Sequence, residues 1–137
     1  MKRNATAVWK GSIKEGQGTL TTQSSVLNNT QYSFHSRFEE GNGTNPEELV
    51  AAAHAGCFAM QLSAFITEEG KEATKIETRC VIDLQNGSIF SSRLTVNAQI
   101  PGMENEKFQE LVKKAEKNCP ISKLLNTEIT SEATLSQ

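Results

Sequence analysis

The chain lacks an excess of positive charge, a C-x-x-C pair, a Gly/Pro-rich segment and an apolar run behind its N-terminus. Each absence removes a class of protein. Fourteen Lys and Arg against sixteen Asp and Glu leave a net charge of -2. No summed positive field exists to hold a phosphate backbone, and no nucleic-acid partner is expected. Nine Gly and three Pro in 137 residues, with 36% hydrophobic and 22% charged residues, exclude collagen-like, low-complexity and disordered chains. What remains is a soluble globular protein. Its length matches one core of roughly 100–150 residues, so a single domain over residues 1–137 is expected. The basic start Met1-Lys2-Arg3-Asn4 is not followed by the apolar stretch of a secretory signal, which points to the cytoplasm. The Asn-x-Ser/Thr triplets at Asn4, Asn28, Asn42 and Asn86 then read as loop-forming asparagines.

Three cysteines are present, Cys57, Cys80 and Cys119. An odd count in a reducing compartment is no disulfide framework, and without C-x-x-C spacing there is no structural zinc or thioredoxin-type motif. No cofactor is implied.

Three strands open the chain: Thr6 to Lys10, Gly18 to Gln23, and Thr30 to Phe38. In the third, Tyr32, Phe34 and Phe38 alternate with Ser33, His35 and Arg37, which predicts Arg37 on the polar face of a strand. Asn45, Pro46 and Glu48 then carry a helix start, as N-cap, N1 and an approximate capping box. The helix is expected to run to about Glu69, with Gly70 as its left-handed cap. From Leu49 to Ile66 only His54, Gln61 and Ser63 are clearly polar, so the helix must be buried all round. Its alanines and acidic flanks argue against a membrane span. A core helix covered partly by a second subunit is the expectation.

Alternation from Ile76 to Leu84, the Asn86-Gly87 turn and a second alternation from Leu94 to Ile100 predict a hairpin. Helices follow from about Asn105 to Lys117 and from Cys119-Pro120 to Leu125, and a last strand from about Glu128 to Leu135. The order βββ-α-ββ-αα-β has no βαβ rhythm, giving an α+β fold with mainly antiparallel sheets around a long central buried helix.

At 100° per residue Glu47, His54, Cys57 and Gln61 fall within a sector of roughly 80°. That is a polar stripe on an apolar helix, and aligned buried polar groups suggest a shared cavity. Backbone groups satisfying His54 and Gln61, with Cys57 a small hydrophobe, is the plain alternative. Cys119, at the N-cap before Pro120, has free amide donors nearby, an environment that lowers a thiol pKa. Cys80 follows the inward phase of Ile76, Ile82 and Leu84 and reads as core. Two cysteines at polar positions and a fixed Arg suggest a dithiol redox site in which Arg stabilises a thiolate. A metal site from His35, His54, Cys57 and Cys119 competes, but its histidines lack ligand-type spacing.

The segments Gly43-Thr44-Asn45-Pro46-Glu47-Glu48-Leu49, Ala51-Ala52-Ala53-His54-Ala55-Gly56-Cys57-Phe58 and Cys119-Pro120-Ile121-Ser122-Lys123 resemble the signatures of the osmotically inducible protein C (OsmC) family. Trp9, Gly11, Tyr32-x-Phe34 and Arg37-Phe38 extend the resemblance over essentially the whole chain. The wording is nearer the OsmC branch than the organic hydroperoxide resistance branch.

The resemblance implies an OsmC-like intertwined homodimer acting as a thiol-dependent peroxidase on organic hydroperoxides. Cys57 matches the peroxidatic cysteine, Cys119 the resolving cysteine, Arg37 the thiolate-activating arginine and Glu47 the carboxylate that orients it, in a bidentate pair. Cys80 matches no functional position. A dithiol reductant such as a lipoylated protein is implied, with no metal and no membrane partner. Glu47 and Cys57 are roughly 15 Å apart along a straight helix. Either Arg37 spans that gap or a second chain supplies Arg37 or Glu47, and the apolar helix favours a pocket lined by two subunits. Phe58, Met60 and Phe65 are expected to line a pocket that accepts alkyl groups, plain core packing being the alternative for each. A non-catalytic thiol redox sensor or binding module and a purely structural dimerisation domain are the other readings, the sensor lacking an output element in this acidic chain.

Overall fold

A computed structural model describes all 137 residues. The chain divides into two compact units, Met1–Leu49 and Val50–Gln137.

The first unit holds strands β1 (Ala5–Lys10), β2 (Gln17–Thr22) and β3 (Thr30–Tyr32), the short helix α1 (Phe34–Phe38) and the opening turn of α2 (Pro46–Glu68). The strands form an antiparallel sheet in the order β1-β2-β3, with Trp9 opposite Gly18 and Gly18 opposite Tyr32. Gly18 is needed there. A Cβ on it would come within 2.5 Å of the Tyr32 ring and 2.7 Å of the Trp9 ring, whose centroids lie 5.5 Å apart.

The expected third strand ends early, and Arg37 lies on a helical turn instead of a strand. Ser33 caps α1 by accepting the Ser36 N–H at 3.2 Å, while Ser36 Oγ accepts the Ser33 N–H at 2.7 Å. This reciprocal capping box starts a helix. Phe34 and Phe38 stack at 5.1 Å; a spacing of four is two strand repeats but also about one helical turn, so alternation could not separate the two. The observed order is βββ-αα-ββ-αα-β.

The second unit holds most of α2, strands β4 (Lys75–Gln85), β5 (Ser88–Gln99) and β6 (Glu128–Ser136), and helices α3 (Asn105–Asn118) and α4 (Pro120–Leu124). Asn86 and Gly87 both take positive φ, 51° and 77°, in the tight turn that joins β4 to β5. β6 pairs with β5 in parallel. The unit thus contains one crossover of the βαβ kind, made by α3 and α4, beside otherwise antiparallel pairings.

The core lies wholly in this unit. Phe58, Leu62 and Ile66 of α2 pack with Leu94, Val96 and Ala98 of β5 and Phe108, Leu111, Val112 and Ala115 of α3. α2 is the long central helix of an α+β fold, but it is buried along one face rather than all round. His54, Phe58, Leu62, Phe65 and Ile66 are inside, while Met60 is 77% exposed. By length and composition α2 could cross a membrane, with a mean hydropathy of 1.6 over its most apolar window. Its packing is that of a core helix with apolar surface to spare.

Candidate active site

In the first unit, Asn45 organises the residues around Arg37. Its Oδ1 accepts the Glu48 N–H at 2.8 Å, capping α2, and its Nδ2 donates to the Ser36 carbonyl of α1 at 3.0 Å. Glu48 is not bonded as a capping-box partner; its Oε2 accepts from Thr44 Oγ1 at 2.7 Å. With α1 tied to the start of α2, Arg37 meets Glu47. Nε and Nη2 both donate to Glu47 Oε1, at 3.0 and 2.8 Å.

The clamp differs from the expected two-oxygen pairing. Both donors converge on one oxygen, and the buried Oε2 has no partner. The Glu47 side chain is 14% exposed and that of Arg37 40%, so the carboxylate is the fixed partner and the guanidinium the presented one. A carboxylate in the first turn of α2 is also favoured by the positive end of the helix dipole. Beside the clamp lies a cavity of about 220 Å³ walled by Trp9, Ile13, Tyr32, Phe34, Arg37 and Phe38. It is an aromatic hollow with one cation on its rim.

In the second unit, α2 presents Cys57 half-buried, and the junction of α3 and α4 presents Cys119 fully buried; both are free thiols. Pro120 at N1 explains the junction. A proline continues no preceding helix and pushes the residue before it out of helical ψ, and Cys119 sits at φ -59°, ψ 128°. Cys119 is at once the C-cap of α3 and the N-cap of the single turn α4. Its thiol makes no cap hydrogen bond and lies near enough to the Cys57 thiol to influence its ionisation.

Burial pushes the Cys57 thiol pKa up, and its neighbour Cys119 adds to this, while the Ile121 backbone N–H works in the opposite direction. Within its own unit, therefore, Cys57 is held toward the protonated form.

His54, one turn before Cys57, is 0% exposed. Its nitrogens are satisfied by side chains, not by backbone groups: Nδ1 lies 2.6 Å from Ser92 Oγ and Nε2 2.7 Å from Ser122 Oγ. Burial lowers its pKa, with Glu116 opposing weakly. With both nitrogens engaged, His54 has no lone pair free for the metal alternative. Cys80, placed in the core by its phase, packs half-buried against the core edge, with Sγ 3.2 Å from Ser92 Oγ. Burial raises its pKa as well. The expected pocket walls on α2 divide: Phe58 and Phe65 are core, and Met60 faces solvent.

Ser92 and Ser122 were not singled out from sequence. Ser122 lies in the Cys-Pro-x-Ser segment, and Ser91-Ser92 interrupts the apolar alternation of β5. Those are the signals that could have found them.

Residues 39–134 match the family described as OsmC-like protein. Peroxiredoxin OsmC of Escherichia coli (strain K12) is 42% identical over 128 residues, covering 90% of each chain. The organic hydroperoxide resistance protein OhrB of Bacillus subtilis (strain 168) is 33% identical over 109 residues, covering 77% of this chain and 79% of that one. The crystal structure of Bacillus subtilis OhrB aligns at a TM-score of 0.64 and 26% identity over 97% of this chain and 98% of that one. An OsmC-like protein from Mycoplasma pneumoniae aligns at 0.73 and 16% identity over 100% and 99%, a likeness of fold. The chain belongs to the OsmC family, and with it to the cysteine-based peroxidases.

Proposed function

We propose that the chain reduces organic hydroperoxides to alcohols with Cys57 as the attacking thiol and Cys119 as the resolving thiol. The observation that carries this reading is the proximity of the Cys57 thiol on α2 to the Cys119 thiol at the α3–α4 junction, two free cysteines close enough for one to influence the ionisation of the other. The Cys57 thiolate attacks the distal oxygen of R-O-O-H, the O–O bond breaks, and the alkoxide takes a proton to leave as the alcohol. Cys57 is now a sulfenic acid. Cys119 displaces its hydroxyl as water, forming the Cys57–Cys119 disulfide. A dithiol such as a lipoylated protein then returns both thiols, closing its own ring disulfide as it does so.

Burial opposes ionisation of Cys57, so the reaction needs a cation to supply the thiolate. Arg37, held by Glu47, is the group we assign to that task and to gripping the peroxide oxygens through charge-assisted hydrogen bonds. The aromatic hollow at Arg37 suits an alkyl or aryl tail, which favours organic hydroperoxides over hydrogen peroxide. We assign the exposed apolar face of α2 to a twofold homodimer, residues 1–137 of each copy acting as one domain, and place the enzyme in the cytoplasm, where the thiols stay reduced.

Consumption of cumene hydroperoxide with a dithiol reductant tests the reading. Wild type should turn over, Cys57→Ser should be inactive, and Cys119→Ser should lose recycling through the disulfide. Full turnover by Cys57→Ser would end it, and equal efficiency with hydrogen peroxide would remove the assignment of the hollow.

A further inference from the structure

Apart from the thiol pair and the Arg37–Glu47 clamp, a fully buried polar side chain with both of its polar atoms engaged is His54, and the proposed reaction does not use it. Its two serine partners stand 38 and 68 residues away in sequence. One side chain of α2 therefore pins β5 through Ser92 and α4 through Ser122. Losing either bond would leave a polar atom unsatisfied in apolar surroundings, so the arrangement resists displacement. A neutral ring donates from one nitrogen and accepts at the other, and a serine hydroxyl can do either, so every bond is made without a buried charge.

We propose that His54 is a positioning residue for the resolving step: its bond to Ser122 holds the Cys119–Ser122 turn against α2, keeping the Cys119 sulfur within attacking range of Cys57. The inference rests on the thiol-peroxidase reading above. Cys57 lies one turn beyond His54 on α2, and Ser122 lies three residues beyond Cys119 along α4. Helix and turn thus meet through the imidazole-to-hydroxyl bond, with the Cys119 thiol and the Ile121 backbone close enough to the Cys57 thiol to influence its ionisation. Cys119 contributes no cap bond of its own, and Pro120 has no N–H to give. The hydroxyl of Ser122 is what fastens this turn to α2 through a side chain.

In the resolving step the Cys119 sulfur bonds to the Cys57 sulfur as the sulfur–oxygen bond breaks, and the hydroxyl leaves as water with the Cys119 proton. The Cys57 sulfur is reduced and the Cys119 sulfur oxidised. The clamp adds no atom to this exchange. It raises the effective concentration of one sulfur at the other, a term to which small displacements matter greatly.

The test mixes the reduced protein rapidly with one equivalent of cumene hydroperoxide. Cys57 sulfenic acid is followed by dimedone trapping and the disulfide by thiol-blocking mass spectrometry, in wild type, Ser122→Ala, Ser122→Thr and Ser92→Ala. Sulfenic acid should form at the wild-type rate in Ser122→Ala while closure slows roughly tenfold. Ser122→Thr, which keeps the hydroxyl, should recover closure. Ser92→Ala, which loses an equivalent bond on the other side of the ring, should slow it less. Wild-type closure in Ser122→Ala, or equal slowing in Ser92→Ala, would overturn the clamp. Should Ser122→Ala not fold, His54→Gln, whose amide nitrogen falls near Nε2, should close faster than His54→Asn, whose amide falls near Nδ1; equality or the reverse order overturns it. Absence of both sulfenic acid and the Cys57–Cys119 disulfide in wild type defeats the peroxidase reading itself, whereas oxidation of Cys57 with unchanged closure in Ser122→Ala defeats the clamp alone.

Discussion

Two three-stranded sheets of similar size are used in opposite ways. The β4-β5-β6 sheet lies under α2 and α3, and every residue of the hydrophobic core belongs to its unit. The β1-β2-β3 sheet contributes none, and five of the six residues of β1 are exposed. Yet that thinly buried unit carries the cation, its carboxylate and an aromatic hollow, while the well-packed unit carries the thiols. On the proposed function this division has a reason: sulfurs that must join covalently need a framework that does not yield, whereas a cation assigned to grip the peroxide and a hollow assigned to its tail can stand on a lighter one.

The comparison can be broken at several points. The largest effect is expected at the sulfur. Cys57→Ser should eliminate hydroperoxide turnover in a protein whose thermal melt stays near that of wild type, and residual turnover would move the chemistry elsewhere. Next is the contrast in packing. Phe58→Ala removes a fully buried ring and should cost about 3–5 kcal/mol of unfolding free energy in urea melts. Val8→Ala, on the exposed β1, should cost no more than about 0.5 kcal/mol. Equal losses would show the first sheet to be packed as firmly as the second.

Arg37→Ala should lower kcat/KM by roughly a hundredfold, in the range of a lost transition-state donor. On the proposed assignment of Arg37 as the thiolate-stabilising cation, it should also shift the rising limb of the pH–rate profile to higher pH, because burial alone pushes the Cys57 pKa up. An unshifted profile would confine Arg37 to substrate binding.

The smallest effect concerns His54. Its folded-state pKa is lowered by burial from an ordinary 6.5. The unfolded chain therefore takes up that proton more readily, and the stability contributed by the neutral ring is complete above about pH 6.5 and is lost as pH falls below it. Urea melts between pH 7.5 and 5 should show this decline in wild type and a flatter one in His54→Gln. Parallel declines would mean that other groups govern the acid limb.

Where local chemistry fixes local structure, the sequence was readable. Asn45-Pro46 opens α2, Asn86-Gly87 turns the hairpin and Cys119-Pro120 breaks α3 from α4, because caps, left-handed turns and prolines act over a few residues. Gly70, at φ +71°, is the expected left-handed stop. Misreadings arose where two periods coincide or where partners are remote. Phe34 and Phe38 fit a strand and a helix equally, so their spacing does not reveal that Arg37 lies on α1 and not on a strand. The parallel pairing of β6 with β5 joins segments separated by two helices, and nothing local announces it. The one-sided burial of α2 was hidden by its composition, since alanine suits a buried and an exposed face alike.

The candidate site shows the same division. Cys57, Cys119, Arg37 and Glu47 stood out by residue type and by the wording of their segments. Ser92 and Ser122 did not, because serines are common and only contact with a buried imidazole distinguishes these two. Arg37 pairs with Glu47, both of its donors converging on one carboxylate oxygen, a geometry set by contacts remote in sequence and not legible from residue type.

The most direct measurement is peptide mapping of the protein after one equivalent of an organic hydroperoxide, with free thiols blocked before digestion. A crosslinked peptide pair joining Cys57 to Cys119, with Cys80 still free, is the predicted result. Recovery of Cys57 and Cys119 as blocked thiols, or a crosslink through Cys80, would contradict it.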